Sequence, residues 1–516
     1  MRKNLLKLNY VNKISRNTEL VNLPDINNRV KHLLNNPKIY HSMIGGKEYS
    51  NNNLHDIKSP LFKNKIIGSY SLIDNFDINY KSAKNHWVNM PFNSKLDIFE
   101  NIANLVENKY YNDMMAATIV GQAKDPYQAE IDCVGELVDF LRFNNQYAID
   151  IHDKQPISPE NVTNISQYNP LPGFISSVTP FNFTAIAGNL AVTPLLFGNV
   201  VYWKPSLKSL PSNYLFYQIC LEANIPPEIL NFVIMDPVKY HKKTIAQPDL
   251  GGIIFTGSSE TFKTIKKDIS NNEDIYQNNI RLIGETGGKN FHFIDKNCDV
   301  INAAQETFYS AFDYSGQKCS ACSRVYIHND IKDEFISEIK KLIDNLDNSI
   351  YGVIDENAYQ EKIEYIKKIQ NDPEINILIG GNYDNTNSYF ISPTICELSN
   401  VNNWLWNTEL FAPIVTIKTY NDNIIEHMNE CSQHKYALTG SIFSNSRTLI
   451  SKSNQIFRES CGNFYINEKS TGAVVGQQPF GGLKLSGTND KAGDINFLYR
   501  LFSQRNLKFN NNIVTY

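Results

Sequence analysis

Residues 251–258 read GGIIFTGS, a run of apolar and β-branched residues enclosed by glycines. Three further runs share this character: GFISSVTP at 173–180, NVVYWKPS at 199–206 and NFVIMD at 231–236. Segments of helical length lie between them, such as SNYLFYQICLEAN at 212–224. Short apolar strands that alternate with helices are typical of βαβ units, whose strands form a parallel sheet. We therefore expect a parallel sheet that binds its ligand at the carboxyl ends of the strands.

A second alternating region begins near residue 299. Its strand candidates are SRVYIHN, YFISPTICEL, APIVTIKTY, ALTGSIFS and NFYIN. Ahead of the first region, residues 97–143 space their apolar residues at the helical period, with a break from Lys124 to Pro126. The sequence therefore predicts an α/β chain with two domains that join near residue 298.

Composition indicates an ordinary globular protein that acts on small molecules. The chain has 516 residues, of which 42% are hydrophobic and 20% charged, and its formal net charge is -4. So small a charge gives no indication of binding to nucleic acid or to an anionic membrane. No stretch approaches the roughly 20 apolar residues of a membrane-spanning helix. The eight cysteines are spread thinly, so we expect reduced thiols and no disulfide framework.

The N-terminal stretch, residues 1–18, differs from the rest of the chain. It reads MRKNLLKLNYVNKISRNT, in which basic and apolar residues alternate and acidic residues are absent. Such N-termini are typical of mitochondrial transit peptides. We expect a transit peptide at 1–18 and a location in the mitochondrial matrix; a disordered basic tail is the alternative.

The stretch DYSGQKCSACSR at 313–324 contains two cysteines, Cys319 and Cys322. A structural zinc site needs four ligands, usually as two pairs, and no second cysteine pair or close histidine pair accompanies this one. A thioredoxin-like redox pair is expected early in a small βαβ fold, whereas this pair lies past the middle of a long chain. The third alternative is a single nucleophile, which needs a base and donors for a developing oxyanion. Glu285 in RLIGETGGKNFHF and Asn182 in TPFNFTAIAGN are residues of those two types.

Seven short motifs along the chain include these three residues and other candidate site residues. They are PFNF with Asn182, NVVYWKPS with Lys204, FTGS with Ser258, ETGGKN with Glu285, GQKCSA with Cys319, ELFAP with Glu409 and Phe411, and PFGG with Phe480. In this order they resemble the motifs of the aldehyde dehydrogenase superfamily, and the resemblance extends over residues 40–505.

One branch of that superfamily is especially similar. The stretches VGQAKDPYQAEID, RFNNQYAIDI, GGKNFHF, GQKCSACSR and NFYINEKSTGAVVGQQPFGG resemble the Δ1-pyrroline-5-carboxylate dehydrogenases, also called glutamate γ-semialdehyde dehydrogenases. The resemblance implies NAD-dependent oxidation of L-glutamate γ-semialdehyde to L-glutamate, the second step of proline catabolism.

The resemblance also implies a role for each residue of the site. Cys319 would attack the aldehyde carbon, Asn182 would donate to the oxyanion, and Glu285 would be the base for hydrolysis of the thioester. The residues expected to bind the cofactor are Lys204, Ser206, Gly257, Ser258, Glu409 and Phe411. Those expected to bind the substrate are Glu130 near its ammonium, Ser320, Gly472 and Ala473 at its carboxylate, and Phe183 and Phe480 beside its methylene chain. Cys322 would be a buried neighbour of the nucleophile.

Three positions depart from the family pattern. Ala412 stands where glycine is usual, and Thr286 follows the expected base where small or apolar residues are common. Leu207 replaces an acid that binds ribose hydroxyls in many NAD-dependent relatives and that normally repels a 2′-phosphate. Because Lys208 is next to Leu207, we expect NAD as the cofactor with partial tolerance of NADP.

The fold implied by the resemblance has an NAD(P)-binding domain at 19–298, Rossmann-like in character, and an α/β catalytic domain at 299–488. A small β element for oligomerisation would take its strands from 150–170 and from the C-terminal segment 489–516. We therefore expect a homodimer or a higher homo-oligomer. Proline dehydrogenase is a further candidate partner, and no metal ion is expected.

Two other functions stay open at this point. The chain would oxidise another semialdehyde or an aliphatic aldehyde if the STGAVVG loop, Ser320 and Glu130 do not bind an amino acid. It would be a catalytically inactive scaffold of the same fold if the cysteine, glutamate and asparagine were not a working site. The presence of all three residues argues against the scaffold.

Overall fold

The structure, a computed structural model, describes residue 12 and residues 23–63, 65–346 and 352–512. The transit peptide expected at 1–18 lies outside these residues, apart from Asn12. The described chain forms two seven-stranded sheets, one three-stranded sheet and several two-stranded ribbons, with helices between the strands. The α/β class predicted from the alternating pattern is confirmed.

Helices connect the strands along the described chain. The described α-helices are α1 Leu23–Asn35, α2 Lys81–Asn89, α3 Phe92–Asn104, α4 Tyr111–Gln122, α5 Pro126–Ala129, α6 Glu136–Asp153, α7 Thr184–Val192, α8 Leu210–Glu222, α9 Pro237–Ile245, α10 Ser259–Asn271, α11 Val300–Phe312, α12 Lys332–Asp344, α13 Glu356–Gln370, α14 Trp404–Asn407, α15 Ile424–Ser432, α16 Arg447–Ile456 and α17 Ile495–Leu498.

The strands are short, as is usual in α/β folds. The described strands are β1 Lys38–Tyr40, β2 Ser42–Ile44, β3 Lys47–Tyr49, β4 Leu54–Lys58, β5 Ile66–Ser71, β6 Val162–Pro170, β7 Phe174–Val178, β8 Val201–Lys204, β9 Leu230–Phe232, β10 Leu250–Thr256, β11 Arg281–Glu285, β12 Asn290–Ile294, β13 Cys322–His328, β14 Asn376–Ile379, β15 Tyr383–Asp384, β16 Phe390–Ile391, β17 Thr394–Glu397, β18 Ile414–Tyr420, β19 Tyr436–Ala437, β20 Thr439–Phe443, β21 Asn463–Ile466, β22 Leu483–Lys484 and β23 Phe502–Asn510.

The first large sheet has the strand order β11-β10-β7-β8-β9-β2-β3. Its five strands from β11 to β9 run parallel, and β7, β8 and β10 are buried on both faces along nearly their whole length. Helices cover both faces of such a sheet, which is why these strands read as continuous apolar runs in the sequence. Their parallel pairing brings the carboxyl ends of β8, β7, β10 and β11 to one edge of the sheet.

The second large sheet has the strand order β14-β17-β18-β13-β12-β20-β21 and is parallel except for β14. β11 ends at Glu285 and β12 begins at Asn290, so the chain passes from the first sheet to the second through residues 286–289. β12 therefore belongs to the second sheet, although the first domain expected at 19–298 includes it. The only turn signal between β11 and β12 is the pair Gly287–Gly288.

The helical region before the first sheet has the expected break. Ala123 adopts a left-handed conformation, with φ 59°, and ends α4. Asp125 then caps α5 by accepting a hydrogen bond from the Gln128 N–H at 2.8 Å, and Pro126 occupies the first helical position. A π-helical segment, Glu130–Gly135, connects α5 to α6.

β6 and β23 form an antiparallel two-stranded ribbon in which Phe502 pairs with Pro170 and Asn510 with Val162. These strands come from the two segments expected to supply the oligomerisation element. Along β23 most side chains after Phe502 are exposed. None of the helices in the described ranges is long and apolar enough to cross a membrane.

Candidate active site

Cys319 lies in the turn that leads into β13, at the amino end of a strand in the second sheet. Asn290, the first residue of β12, holds this turn by donating hydrogen bonds to the carbonyls of Cys319 at 2.8 Å and Ala321 at 2.9 Å. The Cys319 side chain is partly exposed, whereas Cys322 is fully buried at the start of β13. The two cysteines therefore have different environments, and Cys319 is the accessible one.

The surroundings of Cys319 favour its thiol over its thiolate. Burial raises its pKa, and the negative charges of Glu285 and Glu409 raise the pKa further. A nucleophilic cysteine in such surroundings needs a group that takes its proton as the reaction proceeds.

Glu285 is the last residue of β11, and its backbone is fixed on both sides. Its carbonyl accepts a hydrogen bond from the Gly257 N–H at 3.2 Å, and it forms a β-bridge with Gly487. Burial raises the pKa of its carboxyl to about 8. Among the described residues, none hydrogen-bonds its buried Oε1 atom. A buried carboxylate oxygen that the fold leaves unpaired, with a pKa near neutrality, has the properties of a general base.

Glu409 sits on the other side of the glycine turn that follows Glu285. The N–H of Gly288 donates a hydrogen bond to Glu409 Oε1 at 3.0 Å, and burial raises the pKa of this carboxyl to about 7. A Cβ atom on Gly287 would lie 1.8 Å from Glu409 Oε2. Gly287 thus leaves room for the Glu409 carboxylate, and Gly288 leaves room for the turn of Cys319, since a Cβ there would lie 2.6 Å from the Cys319 carbonyl oxygen.

Asn182 comes from the first sheet. It lies between β7 and α7, and it is buried with 5% of its surface exposed. Its side-chain Nδ2 donates a hydrogen bond to the carbonyl of Gln317 at 3.0 Å. Because an amide carries two N–H groups, a second donor remains beside the turn of Cys319. The three expected catalytic residues thus come from both sheets and lie around one turn.

A cavity of about 440 Å³ opens beside Cys319. All but one of the residues expected to bind substrate line it: Phe183, Ser320, Gly472, Ala473 and Phe480. Glu130 is buried but is not part of the lining. The acidic side chains in the lining are those two, six and nine residues further on, namely Asp132, Glu136 and Asp139.

These three acids are the main residues that the sequence analysis missed. Glu136 and Asp139 are three residues apart on α6 and share one face of that helix, whereas Asp132 lies in the π-helical segment, where the regular helical period does not hold. Burial, together with the charge of Asp132, raises the pKa of the Glu136 carboxyl to about 8. The buried Lys124 ammonium forms an ion pair with Asp132 and lies 4.3 Å from the ring centre of Phe183. One wall of the cavity is therefore strongly polar.

Four of the residues expected to bind the cofactor lie at the carboxyl edge of the first sheet, namely Lys204, Ser206, Gly257 and Ser258, whereas Glu409 and Phe411 precede β18 of the second sheet. Lys204 ends β8, and burial lowers the pKa of its ammonium to about 8. Ser206 begins the 3-10 turn that follows, where its hydroxyl accepts from the Lys208 N–H at 3.4 Å. Ser258 caps α10 by accepting from the Thr261 N–H at 3.2 Å.

This edge fits a dinucleotide in three respects. The capped start of α10 is exposed, and the N–H groups of a helix start bind phosphate. Gly257 precedes this helix start. A Cβ at residue 257 would lie 2.6 Å from the ring of Phe255, so the position requires glycine, which leaves no side chain between the backbone and a bound phosphate. Phe411 adopts a positive φ of 53° and lies edge-on to Phe181, 6.0 Å between ring centres.

The departures from the family pattern have structural partners. The Thr286 hydroxyl donates a hydrogen bond to the Leu485 carbonyl at 2.5 Å, which accounts for a polar residue in this buried place. Lys208 forms an ion pair with Asp355, with 2.8 Å between Nζ and Oδ2. The cation expected to favour a 2′-phosphate is therefore already paired with a carboxylate.

Comparisons with known proteins agree with this geometry. The model of the aldehyde dehydrogenase family matches residues 51–504. The mitochondrial delta-1-pyrroline-5-carboxylate dehydrogenase of Emericella nidulans is 42% identical over 442 residues, 83% of this chain and 77% of that protein. The protein of the same name from Danio rerio is 39% identical over 440 residues, 83% of this chain and 79% of that protein.

A solved structure agrees over nearly the whole chain. It is the delta-pyrroline-5-carboxylate dehydrogenase from Mycobacterium tuberculosis bound with NAD, and it superposes with a TM-score of 0.92 at 32% identity. The match covers 99% of this chain and 98% of that chain. By its motifs, its fold and these matches, the chain belongs to the aldehyde dehydrogenase family.

Proposed function

We propose that this protein oxidises L-glutamate γ-semialdehyde, the open form of Δ1-pyrroline-5-carboxylate, to L-glutamate with NAD, as the second step of proline catabolism. One observation carries the proposal. The cavity beside Cys319 is lined both by the Gly472–Ala473 turn and by the carboxylates of Asp132 and Glu136. A substrate that carries a carboxylate and an ammonium beyond its aldehyde is complementary to both.

The carboxylate end of the substrate binds at the Gly472–Ala473 turn and at Ser320. Gly472 has a positive φ of 80°, and backbone N–H groups at such turns form concave sites for anions. The ammonium end faces Asp132 and Glu136. Asp132 is shared with the Lys124 ammonium, and a positive charge beside Glu136 favours ionisation of this carboxyl, whose pKa burial raises to about 8. The rings of Phe183 and Phe480 also line the cavity and supply apolar walls for the methylene groups between the two ends.

In the first chemical step the sulfur of Cys319 bonds to the aldehyde carbon, and Glu285 takes the thiol proton. The free N–H of Asn182 and the backbone N–H of Cys319 donate hydrogen bonds to the oxyanion of the thiohemiacetal. Such donors act on charge that develops in the transition state, which is why they accelerate the step.

NAD, bound at the carboxyl edge of the first sheet, supplies the hydride acceptor that converts the thiohemiacetal to a thioester. Lys204, Ser206, Gly257, Ser258, Glu409 and Phe411 are the residues that would hold it. After it has released the thiol proton to solvent, Glu285 acts a second time, as the base that deprotonates water for hydrolysis of the thioester. A carboxyl with a pKa of about 8 is suited to both proton transfers because it takes up and returns a proton near neutral pH.

The initial rate of NADH formation tests this proposal with three substrates: pyrroline-5-carboxylate, succinate semialdehyde and propanal. We expect a kcat/KM for pyrroline-5-carboxylate at least about 100-fold above the other two. Cys319→Ala should abolish all three rates. A preference for succinate semialdehyde or propanal would leave the fold and the nucleophile in place but would refute the substrate. Absence of any rate would favour the inactive scaffold.

We further propose that the protein is a homodimer in which the β6–β23 ribbon is the main contact. An isolated two-stranded ribbon is marginally stable in water, so its open edges gain from pairing with a second copy. Sedimentation of the full chain and of a chain ending at residue 501 tests this. The full chain should sediment as a dimer or larger, and the shortened chain as a monomer.

For location we propose the mitochondrial matrix. The proposal is supported by the basic, acid-poor composition of residues 1–18. Fractionation of cells that express the protein with a C-terminal tag tests it, and a purely cytosolic signal would refute it. A proline dehydrogenase partner stays a prediction.

A further inference from the structure

Asn12 reaches the cavity from a part of the chain far from every other lining residue. Its side chain is buried, with 7% of its surface exposed, and it is one of the residues that line the cavity. Its Nδ2 donates hydrogen bonds to Asp139 Oδ2 at 3.0 Å and to the Val475 carbonyl at 2.8 Å. Its Oδ1 accepts a hydrogen bond from Gln477 Nε2 at 3.0 Å. The carboxamide is thus bonded through both of its polar atoms.

The partners of Asn12 belong to two separate elements. Asp139 is on α6, whereas Val475 and Gln477 are on the anchor loop, by which we mean residues 470–478. This loop contains Gly472 and Ala473, the residues proposed to bind the substrate carboxylate. Asn12 therefore connects the loop that binds one end of the substrate to the helix that carries the acids for the other end.

The first residue of the anchor loop is fixed independently of Asn12. The hydroxyl of Ser470 is within hydrogen-bond distance of His292 Nε2 at 3.1 Å and of the Ser310 hydroxyl at 2.8 Å. Both partners are buried parts of the second domain, on β12 and α11. The beginning of the loop is therefore part of the core of the second sheet.

The end of the loop has fewer fixed contacts. The N–H groups of Gln477 and Gln478 donate to the Val474 carbonyl, which closes a turn within the loop. Gly476 packs on Phe143 of α6 so closely that a Cβ there would lie 2.4 Å from the ring. The hydrogen bonds of Asn12 add a polar connection to this apolar contact and set the distance between the turn and α6.

We propose that Asn12 is a positioning residue for substrate specificity: its carboxamide holds the anchor loop on α6, and the active enzyme retains it. The specificity part of this inference rests on the proposed function. It also bears on the N-terminus, since removal of residues 1–18 as a leader would remove Asn12 from the cavity wall. We therefore place residue 12 in the folded, active protein.

Three variants of the full chain test the role. Asn12→Ala removes all three hydrogen bonds, and Asn12→Asp places a second carboxylate against Asp139. Asn28→Ala is the matched control, because Asn28 is an exposed residue of α1. We expect the KM for pyrroline-5-carboxylate to rise about tenfold in Asn12→Ala and further in Asn12→Asp, with kcat changed by less than about twofold. Propanal does not reach the anchor loop, so its kcat/KM should stay within about twofold.

Hydrogen exchange provides a readout that does not depend on the substrate. Peptides that cover residues 470–478 should exchange faster in Asn12→Ala than in wild type, while those of β12 and β13 stay unchanged. Unchanged exchange in the anchor loop would overturn the proposal. Faster exchange throughout the protein, or an equal loss of activity on all aldehydes, would also overturn it, because Asn12 would then support only the general fold.

The same experiments separate this inference from the proposed function. If wild type does not oxidise pyrroline-5-carboxylate, the proposed function fails, and the exchange comparison still decides whether Asn12 holds the loop. Mass spectrometry of the enzyme isolated from its own cells tests retention. The N-terminal peptide should include Asn12; a fully active enzyme that begins after residue 12 would refute the inference.

Discussion

The Asn182 side chain and the Gln317 carbonyl form a hydrogen bond of 3.0 Å that connects the two halves of the protein. Asn182 follows β7 of the first sheet, and Gln317 belongs to the turn that carries Cys319 into the second sheet. The Gln317 side chain continues the connection, since its Oε1 accepts from the Ile354 N–H at 2.9 Å. The turn of the proposed nucleophile is thus held by a residue of the first sheet, which is also the proposed oxyanion donor.

Replacement of Asn182 by alanine should lower kcat strongly and leave the fold intact. The variant loses one N–H donor to the oxyanion, and loss of a single such donor commonly costs about 100- to 1000-fold in kcat. Steady-state rates of NADH formation measure the loss, and thermal unfolding checks that the protein still folds. A kcat within about tenfold of wild type would show that Asn182 only positions the turn.

The two cysteines of GQKCSACSR should respond differently to the same substitution. Cys319→Ala should abolish oxidation because it removes the atom that bonds to the aldehyde carbon. Cys322→Ala is its matched control, since Cys322 is buried at the start of β13 and its Sγ contacts the Arg324 carbonyl at 3.5 Å. We expect Cys322→Ala to keep most of its activity and to lose about 1 kcal/mol of stability. Equal loss of activity in both would refute a single nucleophile.

The rate should depend on pH through Glu285. This carboxyl must be deprotonated to act as a base, and burial raises its pKa to about 8. The active fraction therefore increases as the pH rises toward and through 8, and decreases below that value. Glu285→Gln should remove this limb of the pH profile and lower kcat by about 100- to 10,000-fold.

A pre-steady-state measurement identifies the step that Glu285→Gln slows. If the base is needed mainly for hydrolysis, the variant should form about one NADH per active site rapidly and then almost none. Glu459→Gln, at an exposed glutamate, is the control and should behave as wild type. A pH profile that is unchanged in Glu285→Gln would assign the limb to another group.

The strands of the sheets and the residues of the candidate site were predictable from local patterns in the sequence. Strands buried on both faces, such as β8 and β10, read as apolar runs, and the motifs around Cys319, Glu285 and Asn182 lie at strand ends or in turns. The cavity lining at Gly472, Ala473 and Phe480 follows from the same motifs. The boundary at residues 286–289 was not predictable, because two strands of different sheets follow each other with only a glycine turn between them.

Two features of the site depend on geometry that a residue pattern does not contain. The π-helical segment Glu130–Gly135 changes the helical register just where the acids begin, so the regular helical period does not tell which acid faces the cavity. The role expected for Glu130 near the ammonium stays a prediction, and the acids that line the cavity are Asp132, Glu136 and Asp139. The contact between Asn12 and Val475 joins residues 463 positions apart, and no local signal accompanies it.

The ion pair between Lys208 and Asp355 should decide how far NADP is tolerated. Leu207 supplies no acid to exclude a 2′-phosphate, but the Asp355 carboxylate lies 2.8 Å from the Lys208 ammonium and neutralises it. Asp355→Asn frees this cation and keeps an N-cap for α13, because asparagine also accepts from the Ala358 N–H. We expect the ratio of kcat/KM for NADP to that for NAD to rise about tenfold, a change of about 1.4 kcal/mol in transition-state binding.

Two further substitutions test whether the charge of Lys208 causes the change in the ratio of kcat/KM for NADP to that for NAD. Lys208→Met should lower the NADP ratio below that of wild type, because it removes a cation expected to meet the 2′-phosphate. Asp274→Asn, at an exposed aspartate in the turn after α10, should leave the ratio unchanged. If both Asp355→Asn and Lys208→Met leave the NADP to NAD ratio unchanged, the ion pair does not contact the adenine-side ribose. The preference for NAD would then depend on the shape of the first sheet's edge between β8 and α8.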